Sequence, residues 1–366
     1  MAAGLQHTVL LCCDGEAVAF GKNDMGQCEL PELPDGRCYI SASAGINHTL
    51  LLQDDGYIVA CGGRSEGQCE VPDLPDGLRY VQAAAGYCFS IVIREDGAAF
   101  AFGDDTAGQC RIPALPPGER YVSVSASRTH AVLLRDDGQA IAWGHGQAGE
   151  CRVPELPDGL QYVDAAAGGS HTVLIRSDGV ALAFGHNGAG QCDLPDLPQD
   201  SGLRYIACAA SWTHTVLLRD DGEVFAFGGN GRGQCNVPPL ADGLSYVGVA
   251  AGGAHTLLLR SDGIPVLFGD NRCGQCSPPE LDSSVRCVPP ADPWPVMVVT
   301  LLAEDGILTA CCASGAQLPL QPAALGLLRR ELSRRLQLPP KRLQLVLRDG
   351  TLLTSDENIN DLLEVI

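Results

Sequence analysis

Long apolar runs are missing from this chain: no stretch reaches the ~18 residues that a membrane-spanning helix needs, so no membrane partner is expected. Positive charge is scarce, with 24 Lys and Arg against 44 Asp and Glu, a net charge of −20. A nucleic-acid binder must neutralise phosphates with Lys and Arg, so no nucleic acid is expected, and the anticipated partner is a protein with a basic surface. The first 13 residues carry neither a basic start nor a small-residue cleavage site, so no secretory signal is read there. Without one, the odd count of 17 cysteines points to reduced thiols and a cytoplasmic or nuclear location. What the chain does have is 44 glycines, 24 prolines and 45% hydrophobic residues. That is too apolar for disorder and too glycine-punctuated for a helical bundle, which leaves turn-rich β structure.

One motif recurs seven times. Its marker is Gly-Gln-Cys (Gly-Glu-Cys in the fourth copy), with the cysteine at Cys28, Cys69, Cys110, Cys151, Cys192, Cys235 and Cys276. The interval is 41 residues except for one of 43, which carries a two-residue insertion around Gln199 to Gly202. His7, His48, Phe89, His130, His171, His214 and His255 keep the same phase, as does an Asp-Gly pair running from Asp14-Gly15 to Asp262-Gly263. In a representative unit, His171 to Arg176 and Val180 to Gly185 are β-prone runs joined by Ser-Asp-Gly, a hairpin signal. Upstream, Tyr162 to Gly168 reads as a strand of small residues suited to a crowded axis, and Leu-Pro-x-Leu-Pro-Asp-Gly links each unit to the next. Three to four strands per ~40 residues, repeated in register, predict an all-β seven-bladed propeller over residues 1–290. The segment Val285 to Val288 follows Tyr246 at the repeat interval, so its pairing with the first hairpin is expected to close the ring and remove two edges.

The pattern Ala-Ala-Gly-x-x-His-Thr, Asp-Gly, aromatic-Gly and Gly-Gln resembles the regulator-of-chromosome-condensation repeat family. Asn23, Asn187, Asn230 and Asn271 fit the same pattern. The family usually has Gly-Gln-Leu-Gly where this chain has Gly-Gln-Cys. The compact spacing is similar to the short-repeat branch that includes bacterial β-lactamase-inhibitory proteins.

Residues 291–295 complete a Pro-rich linker, and 296–366 read as a second, small α+β domain. Val296 to Leu302 and Ile307 to Cys312 form a hairpin pattern. Leu325, Leu328, Leu332 and Leu336 have helical spacing, and Leu343, Leu345 and Leu347 alternate as in a half-buried strand. With Leu-Pro-Pro after the helix and Leu362 to Ile366 closing, this order resembles a ubiquitin-like β-grasp. The resemblance implies that Val346 and Ile366 belong to an apolar recognition patch. Glu304 stands where a third apolar member belongs, and no Gly-Gly tail is present for conjugation.

Neighbouring blades stand ~10 Å apart, beyond the ~7 Å Cα limit of a disulfide and the ~2.3 Å reach of a Zn–S bond. The repeat cysteines are therefore expected to be buried small apolar residues, and the repeat histidines to bond neighbouring backbone. No phosphate loop, zinc-protease motif or nucleophile elbow is present, so no enzyme activity, cofactor or metal is expected. The negative charge is concentrated in residues 1–295, with 17 basic and 36 acidic side chains, against 7 and 8 in 296–366.

The informative positions vary while the frame stays fixed, between Gly or Ser and the repeat His. Ile46-Asn47, Tyr87, Arg128 and Trp212-Thr213 are the expected partner-binding face, because interfaces favour aromatic residues and Arg. The function expected is a non-enzymatic scaffold whose propeller grips a protein and whose ubiquitin-like domain links to the ubiquitin pathway. The family resemblance implies two alternatives, guanine-nucleotide exchange on a small GTPase and inhibition of an enzyme.

Overall fold

Each repeat unit forms three short antiparallel strands, because Gly and Pro cut its apolar runs at fixed offsets. In blade 5 the inner strand is Tyr162–Ala167, the middle His171–Arg176 and the outer Ala181–Gly185. His171 faces Gly185, and Tyr162 faces Arg176. The turn between middle and outer strands needs Gly179, whose φ of +85° is left-handed and where a Cβ would strike Arg204 of the following link. Asp178 caps the turn by accepting the Val180 amide hydrogen bond. Its bonds to Arg176 hold the Asp178 carboxyl below the ordinary carboxylate range.

The structure is a computed structural model. It describes residues 1–279 apart from 35 and 199–200, residues 287–288, and, in backbone only, strands 297–304, 307–312, 317–320 and 343–347. Six three-stranded sheets share the blade 5 pattern, and a four-stranded composite sheet, that of blade 1, makes the seventh. The core lies between blades. Val173 and Ile175 of blade 5, fully buried, pack on Tyr205 and Leu217 of blade 6. At the base of the inner strand in blades 2 to 7 a buried Tyr reaches back to the proline link, as in Tyr162 to the Pro154 carbonyl at 2.8 Å and Tyr205 to Pro195 at 3.0 Å.

Blade 1 is assembled from two distant pieces of chain. Its middle strand His7–Cys12 pairs at one end with Ala2–Ala3 and at the other with Cys287–Val288, Cys12 facing Cys287. Cys287 occupies the position of the inner-strand Tyr: its amide reaches the Gly263 carbonyl at 2.9 Å, as the Tyr246 amide reaches Gly222.

The chain divides into two compact units, Met1–Ala291 and Asp292–Ile366. The second contains a sheet in the order 317–320, 307–312, 297–304, 343–347, with the last strand parallel to 297–304. The hairpin and the strand around Val346 are present, and Val346 pairs in register with Thr300. Strand 317–320 had no sequence signal. The helix expected over 322–336, the closing strand over 362–366 with Ile366, and the linker 291–295 lie outside the described residues. Among the described residues no helix is long and apolar enough to cross a membrane.

Candidate protein-binding site at the axial mouth

Each inner strand ends in Ala followed by Gly or Ser and one variable residue, and these seven triplets together line a depression of about 440 Å³ on the axis. They run Ala3-Gly4-Leu5, Ala44-Gly45-Ile46, Ala85-Gly86-Tyr87, Ala126-Ser127-Arg128, Ala167-Gly168-Gly169, Ala210-Ser211-Trp212 and Ala251-Gly252-Gly253. The small residues are dictated by crowding. A Cβ on Gly168 would strike both the His171 ring and the Ser211 carbonyl of the next blade.

The repeat histidines hold the blades together, but through side chains rather than the backbone contacts expected. His171 Nε2 lies 2.9 Å from Thr215 Oγ1 of the next blade, and that hydroxyl donates to the Gln191 carbonyl at 2.7 Å. With its one proton committed, the hydroxyl accepts from the ring, so His171 is protonated on Nε2, and burial with no partner at Nδ1 keeps the ring neutral. The same bond joins His7 to Thr49, His48 to Ser90, His130 to Thr172, His214 to Thr256 and His255 to Thr8. Burial lowers the histidines to about 4, and His7 and His214 to about 3. The junction of blades 3 and 4 departs from this pattern on both sides at once. Phe89 stands for His, Ala131 stands for Thr, and the Trp143 indole takes over the missing donor role to the Gln109 carbonyl at 3.0 Å.

The repeat cysteines differ from the buried apolar residues expected. They are half-buried, and each thiol donates to a carbonyl within its own loop, as Cys69 to Gly63 at 3.2 Å and Cys151 to His145 at 3.2 Å. Burial pushes Cys28, Cys110 and Cys151 up to about 11, so they are thiols at neutral pH. Among the described residues no group of three or more His, Cys, Asp or Glu is placed to hold a metal.

Of the variable residues, Tyr87, Arg128 and Trp212 form one cluster. The Tyr87 and Trp212 rings stack with centroids 6.1 Å apart, although blades 4 and 5 lie between them in sequence. Arg128 lies over both, 5.8 Å from Tyr87 and 5.7 Å from Trp212. Trp212 is 42% exposed, Arg128 is exposed and Tyr87 is half-buried. Gly169 and Gly253, which line the same mouth, contribute no side chain to it. Ile46 adjoins the cluster through its amide, 3.4 Å from the Tyr87 carbonyl. Asn47 and Thr213 serve the frame: their carbonyls accept from the Gly63 and Gly229 amides at 2.7 Å.

A signal that sequence reasoning missed separates these blades. Around the mouth, amides of Leu5, Ile46, Tyr87, Gly169 and Gly253 each bond a carbonyl of the next blade. The amides of Arg128 and Trp212 have no hydrogen-bond partner among the described residues. Both follow a serine in place of the usual glycine. Ser127 Oγ and Ser211 Oγ bond Nδ1 of His130 and His214 at 3.0 and 2.6 Å. The added side chain sits where Gly168 has no room for one, and the link to the next blade is lost in those two blades. Ser for Gly therefore marks the blades whose loops carry an open amide beside an exposed side chain.

Comparison with known proteins supports the fold. Residues 1–27, 80–109 and 206–234 match the profile of the regulator of chromosome condensation (RCC1) repeat. No curated protein matches the chain. Among solved structures, yeast RCC1 (Prp20), in its complex with Kap60, is similar with a TM-score of 0.60 and 19% identity, over 75% of this chain and 81% of that one. Human WBSCR16 is similar with a TM-score of 0.57 and 19% identity, over 67% and 79%. The ectodomain of Arabidopsis thaliana ACR4 is similar with a TM-score of 0.55 and 18% identity, over 74% and 91%. The first unit is thus an RCC1-like seven-bladed propeller.

Proposed function

We propose that this protein is a non-enzymatic scaffold whose propeller grips a partner protein at the axial mouth. The observation that carries the reading is the Tyr87–Arg128–Trp212 cluster, with Arg128 and Trp212 exposed, set on a rigid ring and belonging to the residue types that dominate interface energetics. Ile46 borders it and extends the contact area. The second unit, in this reading, is a ubiquitin-like module that brings ubiquitin-pathway components to whatever the propeller holds, with Val346 on its recognition strand. The workplace is the cytoplasm or nucleus, with thiols reduced.

A second reading, guanine-nucleotide exchange on a small GTPase, draws on the likeness to yeast Prp20p, a protein described with binding to Gsp1p and histones. Against it stands the economy of the repeats, whose one insertion is two residues long. The test is affinity purification of the full chain beside Tyr87→Ala/Trp212→Ala, with quantitative mass spectrometry and a nucleotide-release assay on any GTPase recovered. Partners retained by wild type and depleted at least about thirtyfold by the double variant are expected, since two anchors at ~1 kcal/mol or more each give that loss. An unchanged partner set overturns the scaffold site, and accelerated nucleotide release replaces it with the second reading.

A further inference from the structure

Resting on the reading of the mouth as a protein-binding site, we propose that it takes a carboxylate: an Asp or Glu side chain on an acidic, aromatic-containing segment of the partner. Overall charge argues for the opposite, a basic partner, but the charge is unevenly placed. The middle strand of each blade, ~20 Å long, separates the mouth from the Asp-Gly turns. At the turn end, arginines such as Arg94, Arg135 and Arg219 are already committed to the aspartates two residues on.

Arg128 is different. It is exposed, lies over two aromatic rings and has no ion pair among the described residues. The Tyr87 and Trp212 rings hold the guanidinium over the mouth, which reduces the side-chain entropy lost when it binds. The two open amides, of Arg128 and Trp212, belong to the same loops. A carboxylate has up to four lone-pair sites, which suit a guanidinium fork together with backbone N–H donors. The adjoining Trp212 face and Ile46 supply an apolar shelf for a neighbouring aromatic or aliphatic side chain.

The experiment is selection of a random 12-residue display library on the full-length chain, followed by fluorescence anisotropy of the enriched peptides. Enrichment of Asp or Glu next to an aromatic residue is expected, with affinity falling about tenfold for Arg128→Gln and weakening as NaCl is raised. Replacing the critical acid of a peptide by Lys should restore binding to Arg128→Glu, a charge swap that loss of fold would not produce. Enriched peptides that lack acidic residues, or that bind Arg128→Gln as well as wild type, overturn the carboxylate. If those peptides still need Tyr87 and Trp212, the protein-binding mouth stands without it. If they need neither, the mouth reading falls as well. Displacement of the peptides by millimolar inorganic phosphate would reassign the donors to a small oxyanion and also overturn the proposal.

Discussion

Six of the seven blade junctions are polar and one is apolar, and the odd one lies beneath two of the three residues that make the mouth distinctive. At the polar junctions a buried neutral histidine spans to a hydroxyl, which in turn secures a backbone carbonyl. At the junction of blades 3 and 4, Phe89 fills the histidine's place and Ala131 makes room for it. Only Trp143, from the outer strand, keeps the Gln109 carbonyl satisfied. The difference teaches that the frame is conserved by function of the contact, not by residue. A junction can exchange hydrogen bonding for packing when three positions change together, because a single change would leave a polar group unpaired.

Acid should break the comparison most strongly, because it acts on the six polar junctions and spares the seventh. In the unfolded chain each histidine titrates near ~6.5, whereas in the fold these sit at about 3 to 4. Below ~6.5 the unfolded state therefore binds protons that the native state refuses, and stability falls as pH drops toward the folded values. The expected outcome is a melting temperature that is flat from roughly pH 7.5 to 6.5 and declines steadily below that. The Asp-Gly aspartates, held down by their arginines, add their loss only below ~4. Scanning fluorimetry across a pH series checks this, and a melting temperature constant to pH 4.5 would contradict the assigned neutral histidines.

Next in size is the exchange of one junction type for the other. Phe89→His should destabilise by ~1–3 kcal/mol, since the new ring finds no hydroxyl at Ala131. Adding Ala131→Thr supplies the acceptor and should recover much of that loss, a coupling that a double-mutant cycle by urea unfolding measures directly. Additive costs would mean that the two substitutions are unrelated. The smallest effect is expected two positions before Phe89, in the same loop. Tyr87→Ala removes a half-buried ring stacked on Trp212 and should cost about 1 kcal/mol in the same urea assay.

How far the sequence carried can be read from these same loops. Blade number, strand order and the Asp-Gly turns were legible because strand length, turn chemistry and repeat phase are local. The histidine role was legible as structural but not in its partner, since nothing local says that a histidine bonds the threonine of the next unit. The pairing becomes visible only when Phe89 and Ala131 are seen to deviate together. Tyr87, Arg128 and Trp212 could be nominated from their variable column, but no local pattern says that side chains three blades apart meet across the mouth. The lost amide links beside Ser127 and Ser211 depend on tenths of an ångström around a histidine ring, which residue type alone does not encode.

The composite inner strand of blade 1 also orders the folding process in time. Within each of the other six blades all strand pairing is local, so each sheet can form as its own ~40 residues become available. The contact between Cys12 and Cys287 spans nearly the whole ring and bears the largest loop-closure entropy of any strand pairing in the propeller. On the ribosome, blades 2 to 7 are therefore complete before the edge of His7–Cys12 is covered. Until residue 287 emerges, that edge is the one most open to a chaperone, or to an unwanted β-strand from another chain.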